Sequence, residues 1–95
     1  MMCKNMHIRR MEEADLPAVA ALERKSFSMP WSEQALREAM EQEQYVFVVA
    51  EADSVIGYGG MLCILDEADI TNIAVDRHWF RRGVGTNLIR ALAAA

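Results

Sequence analysis

Asn72-Ile73-Ala74-Val75-Asp76, followed closely by Arg81-Arg82-Gly83-Val84-Gly85-Thr86, is the stretch on which the reading of this chain turns. An apolar strand runs into a short basic loop with two glycines. The loop opens a helix in which Val84, Leu88, Ala91, Leu92 and Ala95 share one face. A helix start leaves its first N–H groups without intrahelical partners and carries the positive end of the helix dipole. Gly83 and Gly85 permit positive φ and put no Cβ between an anion and those amides. Arg81 and Arg82 add full charge, and Thr86 adds a hydroxyl. The stretch therefore predicts a site for a phosphate-bearing cofactor. A plain glycine loop at a helix entry has the same composition, so the residues alone leave that alternative open. The third glycine and downstream acid of the dinucleotide fingerprint are missing, and so is the Gly-Lys-Ser/Thr of a Walker loop.

Upstream of this stretch, three strands follow one another. Tyr45 to Ala50 is aromatic and β-branched, as in a strand buried on both faces. Glu51-Ala52-Asp53-Ser54 reads as a tight reversal. Val55 to Leu65 is the next strand. Its Gly57, Gly59 and Gly60 imply a bulge, a bend or the close approach of another group. Asp66-Glu67 is read as the following turn and Ala68 to Val75 as the last strand. Nearer the start, His7-Ile8-Arg9-Arg10-Met11 alternates like a short edge strand. Glu12, Glu13, Asp15 and Pro17 mark a helix start. Leu16, Val19, Leu22 and Phe27 give that helix an apolar side, which Glu23 interrupts. Pro30 breaks it, Ser32 is a good N-cap, and Ala35, Leu36, Ala39 and Met40 form the apolar face of a second helix. The order β-α-α-β-β-β-α predicts an α+β fold with an antiparallel meander and helices on its faces.

The 95 residues make one domain at most, with 53% hydrophobic and 25% charged residues, as in a globular protein. A net charge of −4 and a pI near 5.1 argue against nucleic acid binding through bulk charge. No apolar run is long enough to span a bilayer, and Met1 to Arg10 has no signal-peptide core. A cytoplasmic protein is expected, with no nucleic acid and no membrane partner. Cys3 and Cys63 are far apart and in no metal-like spacing, so no metal site is expected. Cys63 reads as a small buried hydrophobe, Cys3 as a loose terminal thiol, and the seven methionines as core filler apart from Met1 and Met2. His7 and His78 have no Ser or Cys partner at a spacing for nucleophilic catalysis and read as surface residues. Arg9-Arg10 reads as an ordinary strand end.

Phe80-Arg81-Arg82-Gly83-Val84-Gly85 resembles the Gln/Arg-x-x-Gly-x-Gly/Ala loop of the GNAT superfamily of acyl-CoA N-acyltransferases, with Phe80 in the first position. Phe27-Ser28-Met29-Pro30-Trp31-Ser32 and Leu65 to Val75 narrow the resemblance to the bacterial ribosomal-protein-alanine N-acetyltransferases. The likeness covers nearly all of this chain but about the N-terminal two thirds of such an enzyme. The resemblance implies an incomplete GNAT fold, with residues 1–95 as a single partial N-acetyltransferase domain. It implies acetyl-CoA as cofactor and a protein N-terminal α-amine, on a ribosomal protein, as acceptor. Ile73, Ala74 and Val75 would lie along the pantetheine arm, with Arg81, Arg82, Gly83, Val84, Gly85 and Thr86 at the pyrophosphate. Phe27, Pro30 and Trp31 would wall the acceptor site, and Glu67 would attract the cationic N-terminus. Each of these also has a plainer reading as core strand, packed helix connection or solvated turn.

The resembled enzymes carry their general base and acid beyond the point matching Ala95, so no catalytic residue is assigned here. A non-catalytic CoA-binding half-domain that pairs with another chain is the alternative. A truncated domain of this kind is expected to leave the Leu88/Leu92 face and the edge of the last strand uncovered, and hence to dimerise or swap elements.

Overall fold

The computed structural model describes residues 6–94. Four strands form one antiparallel sheet in the order β1 (His7–Arg10), β2 (Tyr45–Glu51), β3 (Val55–Ile64) and β4 (Glu67–Val75). Helices α1 (Leu16–Ser26) and α2 (Glu33–Met40) cover one face, and α3 (Val84–Ala94) covers the other. This is the expected α+β architecture, an antiparallel meander with helices on its faces.

Strand β2 explains why the sheet needs two covers. Phe47 and Val49 join Leu16, Val19, Leu36 and Tyr58 on the α1/α2 face, while Val48 and Ala50 join Leu88 and Leu92 on the α3 face. Consecutive residues of a strand point to opposite faces, so four consecutive apolar residues require apolar cover on both. Pro17 lies in the first turn of α1, where its missing N–H costs no bond. Glu13–Asp15 precede it as a 3₁₀ turn rather than α-helix, and Asp15 Oδ2 accepts from the N–H of Glu12, the residue before that turn, at 2.8 Å. Ser32 caps α2 through Oγ, which accepts from the Ala35 N–H at 3.0 Å.

The glycines of β3 serve close approach, and the strand also carries a register shift between Gly60 and Met61. A Cβ on Gly59 would stand 2.7 Å from Ile73 Cδ1 and 3.2 Å from Leu92 Cδ1. One on Gly57 would stand 3.3 Å from Val84 Cγ1, so bare backbone at these positions lets α3 lie close to the sheet.

Several expectations are corrected. The Leu88/Leu92 face is fully buried, because α3 folds back onto its own β2 and β3 rather than requiring a later strand. The last hairpin turns at Leu65-Asp66, with Leu65 at φ 55, and Glu67 already belongs to β4. Cys63 is half-buried, and Met29 is 87% exposed. Arg9 is no ordinary strand end: its guanidinium donates to both Asp15 oxygens at 2.8 and 2.9 Å and to Glu51 at 2.9 Å. Readings placed on Met1, Met2, Cys3 and Ala95 lie outside the described residues.

Candidate functional site

Strand β4 ends at Val75, and the chain then makes a 3₁₀ turn at Arg77–Trp79 before entering α3. Asp76 caps that turn. Its Oδ1 accepts from the His78 N–H at 2.8 Å and lies 3.0 Å from Nδ1 of the His78 ring, and these contacts hold the Asp76 carboxyl below its ordinary range. Two positive φ values follow, 66 at Arg81 and 79 at Gly83. Gly83 meets that conformational need without strain, and nothing lies within 4 Å of where its Cβ would be. The first bond of α3 runs from the Asn87 N–H to the Gly83 carbonyl at 3.0 Å, so the amides of Val84, Gly85 and Thr86 precede the helical ladder. Gly85 lies inside the helix, not at positive φ. Its lack of a side chain leaves open space, with Ile73 Cγ2 3.9 Å from a built Cβ.

These groups line a cleft of about 1000 Å³ between the end of α1 and the start of α3. Ile73, Ala74 and Val75 form its floor, Gly83, Val84, Gly85 and Thr86 one end, and Leu22, Lys25 and Phe27 the opposite wall. Lys25 and Arg81 add positive charge along the rim. Of the residues expected here, only Arg82 stands apart. Its guanidinium lies 5.2 Å from the centre of the Trp79 ring, a cation–π contact that braces the loop.

A second cleft, of about 320 Å³, lies across Phe27 from the first. Glu23, Phe27, Ser28, Met29, Trp31, Thr71 and Asn72 line it. Phe27 and Trp31 are therefore brought to one cleft. Pro30 and Glu67 line neither cleft, and Glu67 sits at the far, hairpin end of β4.

Three residues at this cleft went unassigned in the sequence reading. Glu23 is buried at 1% exposure and accepts from the Trp31 backbone N–H at 2.8 Å, from Asn72 Nδ2 at 2.9 Å, and from the Tyr58 hydroxyl. Asn72 Nδ2 also donates to the Tyr58 oxygen at 2.6 Å. Burial first, then the Glu23 carboxylate, pushes the Tyr58 phenol well above its ordinary range, so it remains a neutral donor. The signal was present in each: an acid interrupting an apolar helix face, a tyrosine between two strand glycines, an amide in an apolar strand. Among the described residues no group of three His, Cys, Asp or Glu side chains is placed to hold a metal ion.

The sequence profile of the Acetyltransferase (GNAT) family matches residues 16–95. The chain belongs to the GNAT family. Its curated relatives in that family include the [ribosomal protein bS18]-alanine N-acetyltransferase of Escherichia coli strain K12, 31% identical over 85 residues, or 90% of this chain and 57% of the relative. A putative enzyme of the same description from Bacillus subtilis strain 168 is 30% identical over 86 residues, covering 88% of this chain and 57% of the relative. The crystal structure of the ribosomal-protein-S18-alanine N-acetyltransferase from Escherichia coli superposes with a TM-score of 0.83 at 30% identity, over 95% of this chain and 58% of that one. A PaiA N-acetyltransferase from Thermoplasma acidophilum, solved in complex with coenzyme A, shares the GNAT fold at TM-score 0.81 and 16% identity, covering 95% of this chain and 70% of that one. The chain spans a little over half the length of the curated relatives it matches.

Proposed function

We propose that this chain binds acetyl-CoA in the larger cleft and is the cofactor-binding part of a GNAT N-acetyltransferase acting on a protein N-terminal α-amine. The observation that carries this reading is the approach of β4 to α3. Three helix amides, an open Gly83 and the Arg81 side chain stand at one end of a cleft whose floor is strand backbone, with Lys25 facing them from the opposite wall. That donor set fits a pyrophosphate. The backbone of Ile73, Ala74 and Val75 would offer hydrogen bonds to the pantetheine amides, as a sheet edge does to an added strand. Arg81 would meet the phosphates as a full charge, whereas Arg82, turned onto Trp79, would act through the loop's shape. Bound acetyl-CoA would supply an acyl group activated as a thioester. This chain's own residues would hold it and align its reactive end towards the smaller cleft.

The relatives' names, which specify an alanine of ribosomal protein S18, support this acceptor. Phe27 and Trp31 would wall the acceptor cleft, with Pro30 setting the course of the loop between them. Action on a ribosomal protein would put the reaction in the cytoplasm, and among the described residues no helix is long and apolar enough to cross a membrane. Residues 1–95 are read as part of one N-acetyltransferase domain.

Calorimetric titration with acetyl-CoA, with dephospho-CoA and inorganic phosphate as controls, tests the reading. Saturable binding of acetyl-CoA to the folded chain is expected. A folded chain that binds none of the three ligands overturns it. A second reading, a non-catalytic CoA-binding half-domain that associates through β4, is favoured by one observation: among the described residues β4 pairs only with β3. We take a second copy of this chain as the partner at that edge.

A further inference from the structure

The smaller cleft has an unusual charge arrangement. Glu23 is its only ionisable lining group, it is almost wholly buried, and among the described residues no cation pairs with it. Buried carboxylates are ordinarily paired. Here all three neighbours are neutral donors, which meets the hydrogen-bonding demand of a carboxylate but supplies no opposite charge.

The same network fixes the orientation of Asn72. A carboxylate only accepts, so the Asn72 NH₂ must face Glu23, where it also reaches the Tyr58 oxygen. The carbonyl oxygen Oδ1 is thereby turned the other way. It accepts from the Thr71 hydroxyl at 2.7 Å, an exposed contact, and keeps a second lone pair. Gly60 makes room for this placement, since a Cβ there would stand 2.9 Å from Oδ1. Thr71 and Asn72 both line the cleft.

We infer that this cleft recognises a primary ammonium group, that Asn72 Oδ1 is the atom accepting its N–H, and that Glu23 acts behind it as a positioning residue and as the balancing negative charge. This deepens the reading of the chain as part of an amine acetyltransferase and rests on it for the amine's fate, not for its binding. The carboxylate does three things at once. It holds Trp31 and so the cleft wall, it sets the Asn72 amide, and it makes the local potential favourable to a cation. A neutral amide at the same place would find the acceptor but not the charge, so an acetylated N-terminus is bound poorly and leaves.

The test is titration of the isotope-labelled 95-residue chain with alaninamide, and separately with N-acetylalaninamide, followed by nuclear magnetic resonance. Alaninamide should shift the Asn72 side-chain amide and the Trp31 backbone amide saturably, and N-acetylalaninamide should not. In Glu23→Gln, Oε1 still accepts from Trp31, but the new NH₂ faces Asn72 and turns its carbonyl inward. The affinity for alaninamide should fall about tenfold or more, as for loss of a hydrogen bond to a charged group. Asn72→Ala should give the same loss, and serves if Glu23→Gln does not fold. Equal binding of the two ligands, no shift at Asn72, or either variant binding alaninamide as the parent does would overturn the inference. Acetyl-CoA is added to the same samples. If it leaves the Gly83 to Thr86 amides unmoved while alaninamide binds at Asn72, the cofactor reading fails and this one stands; the reverse pattern sinks only this one.

Discussion

Gly60 and Gly59 are adjacent, yet the structure assigns them opposite tolerances. A Cβ on Gly60 would lie 2.7 Å from the Phe47 ring, which stacks on Tyr45 at 5.6 Å and 5° and has no room to slide, and against the Asn72 amide. The Cβ of a Gly59→Ala variant would meet the Ile73 side-chain tip, which can rotate away. Gly60→Ala should therefore cost about 1–3 kcal/mol as overpacking, a fall in melting temperature of roughly 4–8 °C per kcal/mol for a domain this size. Gly59→Ala should stay within about 1 kcal/mol of the parent. Thermal melts of the two variants check this, and similar values for both would contradict it. The sequence showed that these glycines imply close approach but not by what. The Glu23 network was hidden for the same reason. Glu23 lies 35 residues from Tyr58 and 49 from Asn72, and no local pattern encodes a contact of that separation. Gly83 is the opposite case, because its need for positive φ was local and therefore legible.

At the scale of elements, periodicity and turn chemistry placed the helices and strands, and the misreadings fell where a tertiary contact overrode a local preference. Asp66-Glu67 looked like the polar turn, but pairing of Ile64 with Glu67 puts the reversal on Leu65 in the left-handed region. Arg9 looked like a strand end, but it ties β1 to the turn before α1 and to β2. That clamp has a pH signature. Its bond to Arg9, above all, holds the Asp15 carboxyl below the usual carboxylate range. A depressed folded pKa gives stability that is complete above the unfolded value near 3.9 and is lost as pH falls through the lower, folded value. Asp15→Asn should thus lose about 1–3 kcal/mol at neutral pH, the range for a hydrogen bond to a charged group. The gap to the parent should close in acid below about pH 4. Urea midpoints between about pH 2 and pH 7 measure both; a gap constant across that range would remove the clamp from the account.

At the scale of the whole molecule, and among the described residues, the sheet has two open edges, the short β1 (4 residues) and the longer β4 (9 residues). Among the described residues β4 pairs only through β3, and the hairpin carrying it exposes Ile64 at 54%, Leu65 at 99% and Ile70 at 44%. An open strand edge flanked by apolar side chains is a template for another strand. Self-association through β4 is expected, with acidic Glu67 and Asp69 on the same strand opposing it. Raising salt screens that repulsion and should strengthen the dimer. In sedimentation equilibrium the mass should rise from 10.7 kDa towards twice that value with concentration. Ile70→Lys, which puts a cation on the edge, should hold the chain near the monomer mass without touching either buried cluster. The edge also borders the larger cleft, because Ile73 to Val75 form its floor. A pantetheine arm lying along those residues would compete with a second strand for the same backbone groups. Acetyl-CoA should therefore shift the chain back towards monomer. A species that stays at 10.7 kDa at millimolar concentration in both low and high salt would mean that the edge is protected as it stands. A dimer indifferent to acetyl-CoA would place the contact elsewhere on the hairpin, at Ile64 and Leu65.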